Sequence, residues 1–277
     1  MKRRSFLFTV VSCLAVMMAS MCESAEGETE SVTLQKEHGL IDWSQNYIEA
    51  TGMAVAPKGT DGAQAKALAR RGAIVDLQRN LLEFMGGVQV DSRTTMNDFM
   101  AEDRVRSEVH GIIRNIELLD GTWDGESYTV SGRVRLPQLL VVVAPECAAV
   151  QRSAPKPPAA SKPSSAKGRY TGIVIDARHL PRVPTLSFRV VDASGHEVYG
   201  ISYADQKFLA QSGLASYYNN YEYAKGEIRV ATNPIITKAV RLQSDNYDIV
   251  IPNDAAAKMR GSSYDFRKEC KVIIVCK

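Results

Sequence analysis

The pattern of apolar and polar positions divides the chain into two structured blocks. Residues 42–143 and 169–277 carry alternating or helical apolar periodicities, whereas residues 144–168 hold five prolines and almost no large apolar side chains. Such a composition buries too little surface to fold, and its prolines favour an extended chain. The pattern predicts two domains, each large enough for its own core, joined by a Pro/Ala/Ser linker over residues 144–168.

The first block predicts an α+β domain. A β-compatible run from Tyr47 to Ala56 precedes a helix over 61–85, where a left-handed cap is expected at Gly86-Gly87. The apolar stripe of this helix repeats at helical spacing and comprises Ala65, Leu68, Ala69, Gly72, Ile74, Val75 and Leu82. The elements expected after it are a strand at 88–90, a helix at 96–110 and a hairpin of 112–119 with 128–136. We expect one antiparallel sheet with two helices on one face.

The second block is also α+β in pattern. Strands are predicted at 171–176, 186–191, 197–201, 235–242, 247–251 and 271–276, and helices at 205–223 and 254–259. The uninterrupted Val-Ile-Ile-Val run within 271–276 is typical of a central strand that is covered on both faces.

The N-terminus has the three parts of a secretory signal peptide, assigned to residues 1–25. A basic head at Lys2–Arg4 precedes an apolar run of about 16 residues, which is shorter than the roughly 20 residues of a bilayer span. The sequence therefore predicts export to the periplasm or the outer membrane. Ser20 and Cys22 fit cleavage before Glu23. Lipid attachment at Cys22 is the alternative, with small residues at Ala19 and Ser20 but Met21 at the position where Gly or Ala is favoured.

The charged residues are distributed unevenly along the chain. The net charge of +3 comes from the basic head, and without it the chain is neutral, which argues against nucleic acid as a partner. Residues 23–143 carry −7 and residues 169–277 carry +4. Opposite charges favour contact between the blocks or head-to-tail contact between copies, although ordinary solvated surfaces would look the same.

Four residues are ligand-binding candidates. Asp176 ends a predicted strand close to Arg178, and Tyr217 and Tyr221 have the spacing of one helix face. Each has a structural alternative: a turn-capping carboxylate with a local ion pair, and aromatic packing within a helix. No catalytic motif and no metal-ligand spacing is present, so we expect no catalytic residue, metal or cofactor.

Two of the five cysteines lie in the predicted signal peptide, and the other three leave the disulfide pattern open. Cys270 and Cys276 lie at the ends of one predicted strand, about 20 Å apart, and cannot pair with each other there. Cys147 is able to reach either one, and an odd count leaves at least one thiol unpaired.

Residues 42–136 resemble a known family. The strings that carry the resemblance are Asp42-Trp43-Ser44, Tyr47–Gly52, Ala56-Pro57, Ala63–Ala65, Ala69–Arg71, Asp76–Glu83, Val88–Thr95 and Asp98-Phe99. They are similar to the lipoprotein family related to the N-terminal domain of the flagellar T-ring protein. In the second block the strings are Tyr170–Arg178, Val198–Gly200, Asn233-Pro234 and Ala239–Arg241. They resemble a segment that accompanies this domain in uncharacterised envelope proteins. The resemblance implies an α+β fold, export and an assembly role without catalysis.

These observations predict a non-catalytic assembly or binding protein of the bacterial envelope, with a flagellar role as one form of it. Its expected partners are other envelope or flagellar proteins or further copies of itself, and a lipid anchor is the expected membrane contact. The alternative is a cell-wall-acting enzyme or a small-ligand receptor that uses Asp176 and the tyrosines.

Overall fold

The computed structural model describes residues 31–153, 168–243 and 248–277, with residues 150–153 described as backbone alone. The predicted signal peptide, Cys22 and residues 154–167 of the predicted linker lie outside the described residues. The α+β fold class predicted from the sequence is confirmed.

The first block is built on a five-stranded antiparallel sheet. Its strands are β1 (Thr33–Lys36), β2 (Gly39–Asp42), β3 (Tyr47–Val55), β4 (Glu117–Trp123) and β5 (Ser127–Arg135). The order across the sheet is β1-β2-β3-β5-β4, so the strand that begins at Tyr47 pairs with the hairpin as predicted. Strands β1 and β2 were not predicted, because each is only four residues long and shows no clear alternation of apolar and polar residues.

Four helices accompany this sheet: α1 (Gly62–Gly86), α2 (Met96–Phe99), α3 (Asp103–Arg114) and α4 (Leu136–Ser153). Helix α1 lies against β3 and β5. Its backbone comes so close to β3 that a Cβ atom at Gly52 would lie 2.2 Å from the Leu77 nitrogen. The stripe that α1 buries repeats at i, i+4 and consists of Ala65, Ala69, Ala73, Leu77, Leu81 and Met85. The predicted stripe was therefore partly wrong, and Val75 is 65% exposed.

Other local predictions in this block were wrong. The helix expected at 96–110 is divided into α2 and α3, and the strand expected at 88–90 is a single bridge between Gln89 and Thr95. Gly87, expected to be left-handed, has φ −80°. Helix α4 continues through Pro145 to Ser153, because its buried positions, such as Val143 and Cys147, pack into the core. The first ten residues of the predicted extended linker are therefore helical.

The second block contains two four-stranded sheets, one parallel and one mixed. Its strands are β6 (Gly172–Asp176), β7 (Val190–Asp192), β8 (Glu197–Tyr199), β9 (Ser216–Tyr218), β10 (Pro234–Lys238), β11 (Arg241–Gln243), β12 (Asp248–Ile251) and β13 (Val272–Val275). One sheet, of order β10-β6-β13-β9, is wholly parallel, and the other has the order β11-β12-β7-β8. Strand β13 is central and buried on both faces, as its apolar run predicts.

The helices of this block are α5 (Gln206–Ser212), α6 (Tyr221–Gly226) and α7 (Asn253–Gly261), with a 3-10 turn at Ile201–Tyr203. The single helix predicted at 205–223 was wrong. Gly213 adopts φ 66° and ends α5, after which the chain enters β9. The strand expected at 235–242 is divided between the two sheets as β10 and β11.

Buried side chains of both blocks meet in one continuous hydrophobic core. The backbone nitrogens of Leu186 and Ser187 in the second block bond to the carbonyl oxygens of Gln89 and Val90 in the first. The sequence left open whether the blocks touch, and the structure brings them into contact.

Candidate binding surface

The carboxylate of Asp176 is held by a neighbour two residues away. Strand β6 ends at Asp176, whose Oδ1 accepts hydrogen bonds from the backbone nitrogen (3.2 Å) and Nε (2.9 Å) of Arg178, while Oδ2 accepts one from Nη2 (2.9 Å). These hydrogen bonds from Arg178 hold the pKa of Asp176 below its ordinary value. Asp176 is therefore an ionised carboxylate in a local ion pair with Arg178. This is the arrangement that the sequence offered as the alternative to ligand binding.

Tyr221 joins this pair through its ring. The Arg178 guanidinium lies 5.3 Å from the ring centroid of Tyr221, and the Lys225 Nζ lies 4.8 Å from the same centroid. Both distances fall within the range of cation–π contacts. Three of the four predicted ligand residues thus form one partly exposed cluster at the carboxyl end of β6.

Tyr217 does not belong to that cluster. It lies in β9 instead of a helix, and its side chain is 1% exposed. Its hydroxyl donates to the Thr185 carbonyl (2.9 Å) and accepts from the Thr185 nitrogen (3.2 Å) and Arg182 Nη2 (3.3 Å). The ring is packed in the core, so its faces contact other side chains of the chain and are not open to a ligand.

The ring of Tyr217 meets the first block along a contact that we call the seam. The rings of Trp43 and Tyr217 meet edge-on with 5.8 Å between centroids, and the Tyr217 nitrogen donates to the Trp43 carbonyl. Ser44 Oγ donates to the Tyr217 carbonyl, and Asn46 Nδ2 donates to Ser216 Oγ at 3.0 Å. The first block therefore covers the outer edge of β9.

A cavity at the seam is too small for a ligand. Its free volume is about 10 Å³, which is room for about one water molecule, whereas ligand pockets span roughly 300–1,000 Å³. Its lining consists of Trp43, Asn46, Leu136, Pro137, Leu140, Thr185, Leu186, Gly213, Leu214, Ala215 and Tyr217.

Arg229 fixes the backbone beside the seam, and sequence reasoning missed it. Its guanidinium donates to the carbonyls of Ser212 (2.7 Å), Gly213 (2.8 Å) and Cys270 (2.9 Å), and to Ser216 Oγ. Burial lowers the pKa of this group, although an arginine remains ionised. No local sequence signal predicts these partners, because they come from two separate segments of the chain, around Ser212–Ser216 and at Cys270.

The three cysteines within the described residues are free thiols in the interior. Cys147, Cys270 and Cys276 are all buried and unpaired, so neither disulfide left open by the sequence is formed. Burial raises the pKa of Cys147 to about 12 and that of Cys276 to about 11. Among the described residues, no group of three His, Cys, Asp or Glu is arranged as metal ligands.

Exposed strands at the borders of the sheets are candidate binding features. Strand β4 borders its sheet, with Glu117 and Asp120 exposed and Leu118 39% exposed. Strands β10 and β11 border the other two sheets. The first of these edges has a sequence signal, since residues 117–126 contain four acidic residues and no basic one.

Comparison with known proteins gives a match over part of the chain. Residues 172–277 match the family model described as the second domain of Treponema pallidum Tp0624, so the C-terminal block is similar to a recognised domain type. No curated protein matches the chain. Among the described residues, no helix has the length and apolarity needed to cross a membrane.

Proposed function

We propose that this chain is an exported, non-catalytic envelope protein that binds other proteins through exposed strand edges on a rigid scaffold. In this proposal the first block is related to the N-terminal domain of the flagellar T-ring protein, and the protein works in the periplasm or at the outer membrane. A lipid on Cys22 would provide its membrane contact.

The observation that carries the proposal is the contrast between a closed seam and open edges. Trp43 and its neighbours cover the edge of β9, and this contact fixes the two blocks to each other. The edges at β4 and at β10–β11 keep exposed apolar side chains beside exposed charges, including Leu118 and Val240. Edge strands and exposed apolar side chains are features of protein-binding surfaces.

The rival function, a wall-acting enzyme or ligand receptor at Asp176, has less support. A general acid needs a carboxyl group that retains its proton near neutral pH. The Arg178 hydrogen bonds lower the pKa of Asp176 instead, and Tyr217 is buried away from it.

Photo-crosslinking in intact cells tests the binding proposal. A photoreactive amino acid is placed at Leu118, at Val240 and, as a control, at the exposed Lys66 of α1. We expect the two edge positions to give discrete crosslinks to envelope proteins, identified by mass spectrometry, and Lys66 to give few. Equal crosslinking at all three positions, or crosslinks confined to cytosolic proteins, would contradict the proposal.

The anchor is tested separately with C22A. If Cys22 carries lipid, the variant loses metabolic labelling by a fatty-acid analogue and moves from the membrane fraction to the periplasmic fraction. An unchanged distribution would remove the lipid from the proposal but leave the edge-binding function standing.

A further inference from the structure

We propose that the β4 edge of one copy binds the β10–β11 edge of a second copy, head to tail. This inference rests on the proposed binding function and names a second copy of the chain as the partner.

The two edges carry matching four-residue patterns of opposite charge. Residues 117–120 read Glu-Leu-Leu-Asp and residues 238–241 read Lys-Ala-Val-Arg. In each, two like charges flank two apolar residues, and the charges are three residues apart in sequence. Opposite charges at equal spacing permit both ion pairs to form in one alignment.

Exposure along the two patterns also matches when they run antiparallel. The aligned pairs are Glu117 with Arg241, Leu118 with Val240, Leu119 with Ala239, and Asp120 with Lys238. The first, second and fourth pairs have both members exposed; Leu118 is 39% and Val240 51% exposed. In the third pair, Leu119 is half-buried and Ala239 is buried. The alignment therefore brings together the side chains that each edge presents to solvent.

The basic pattern is held rigidly although it joins two strands. The Ala239 nitrogen donates to the Asp176 carbonyl of one sheet at 2.9 Å, and the Val240 nitrogen donates to the Val250 carbonyl of the other at 2.7 Å. A preformed surface loses little conformational entropy when it binds.

The four charges are available for a partner. Between described residues, none of Glu117, Asp120, Lys238 and Arg241 forms an ion pair. The cross-strand neighbour of Glu117 is Arg133, but the guanidinium of Arg133 pairs with a different carboxylate. Its Nη2 lies 2.7 Å from Glu49 Oε2.

Charge and backbone geometry decide which contact forms. Two acidic edges repel each other, as do two basic edges, so a symmetric pairing of like edges is disfavoured. The register of β4 shifts between Leu118 and Gly121, and β10 begins with a proline that has no N–H group. Both features interrupt a continuous strand ladder, so we assign the contact to side chains. A heterologous contact of this kind produces rings or open chains.

Sedimentation of the full mature chain and its charge variants tests this inference. The variants are E117K/D120K, K238E/R241E and the fourfold exchange of both pairs. We expect the wild type to associate with rising concentration at about 0.05 M salt and less at about 0.5 M, because salt screens the charges. Each double variant should weaken association by about tenfold or more, because like charges then face each other.

Two complementation results separate a specific contact from a general charge effect. An equimolar mixture of the two double variants should associate, and so should the fourfold exchange, since opposite charges face each other again. The controls E37K/E83K and K66E/K207E change the net charge by the same amounts at exposed positions elsewhere, and they should behave like the wild type. Circular dichroism checks that every variant is folded.

A wild-type chain that stays monomeric at low salt would overturn the inference, as would double variants that associate like the wild type or a mixture that fails to recover. Discrete crosslinks from Leu118 to other envelope proteins would in that case still support the proposed function. The two failures are therefore distinguishable.

Discussion

The indole ring of Trp43 meets the phenol ring of Tyr217 edge-on, with 5.8 Å between centroids and 79° between planes. The two residues belong to different blocks, and both are buried, at 6% and 1% exposure. Edge-to-face aromatic pairs contribute beyond the area they bury, by about 0.5–1.5 kcal/mol. This pair joins the sheet of the first block to the edge of the parallel sheet in the second.

Replacing Trp43 by alanine should destabilise the whole chain. We expect W43A to lower the free energy of unfolding by about 3–5 kcal/mol, since a large buried side chain is removed and a cavity remains. The measurement is denaturant unfolding followed by circular dichroism. W123A is the matched control, because Trp123 is half-buried at the end of β4, and its loss should be clearly smaller. Equal losses for the two variants would contradict a central role for the seam.

Asn46 provides a test of backbone conformation at the seam. It has φ 60°, and its Nδ2 donates to Ser216 Oγ. N46A loses that hydrogen bond and keeps a side chain that disfavours this φ, so we expect a loss of about 1–3 kcal/mol in unfolding free energy. N46G also loses the bond but adopts the conformation without strain. N46G should therefore be the more stable variant in denaturant unfolding, and the opposite order would show that the backbone conformation is not limiting.

The ion pair of Asp176 and Arg178 predicts a dependence of stability on pH. The pKa of Asp176 is lowered in the folded chain by hydrogen bonds from Arg178, relative to the ordinary value of 3.8. A lowered folded-state pKa stabilises the fold above 3.8, and this contribution is lost as the pH falls through the folded-state pKa. Because Arg178 is 43% exposed, we expect a contribution of about 0.2–1 kcal/mol.

D176N should accordingly be less stable than the wild type at pH 7, and the difference should shrink below pH 3.8 in unfolding curves measured across that range. D176N/R178Q serves as the control, since removal of Arg178 from the D176N background should cost little at pH 7. A difference between D176N and the wild type that is constant with pH would show that the carboxylate charge is not the cause.

The three internal thiols should react slowly with alkylating reagents in the native state. Cys147, Cys270 and Cys276 are buried, and the raised pKa of each leaves little reactive thiolate at pH 8. Peptide mass mapping should find all three modified rapidly in guanidinium without a reductant. Protection of two of them in guanidinium, lost on reduction, would reveal a disulfide.

Features set by local sequence were predictable, whereas those set by distant partners were not. The long helix α1 and the central strand β13 follow from periodicity and from an unbroken apolar run. Asp176 and Arg178 are two residues apart, and the local ion pair that the sequence offered as the structural alternative is present. The contact of Trp43 with Tyr217 joins residues that are far apart in sequence, and no local pattern marks it.

The helix that was incorrectly predicted at 205–223 shows why local patterns fail where distant partners decide the structure. Tyr217 and Tyr221 have helical spacing, but the left-handed Gly213 ends α5, and residues 216–218 gain a hydrogen-bonding partner in β13. Tertiary pairing of this kind overrides a local periodicity. Helix α4 is the converse case, because core packing maintains it through Pro145 against the local preference of proline.

The covered edge of β9 has a consequence for how such a protein evolves. The second block has one border of its parallel sheet closed by Trp43 and Ser44, which lie more than 120 residues upstream of that block's first strand. A gene rearrangement that moved the second block alone would leave that strand edge unpaired and prone to aggregation. Inheritance of the block as an independent unit therefore requires a new cover for β9.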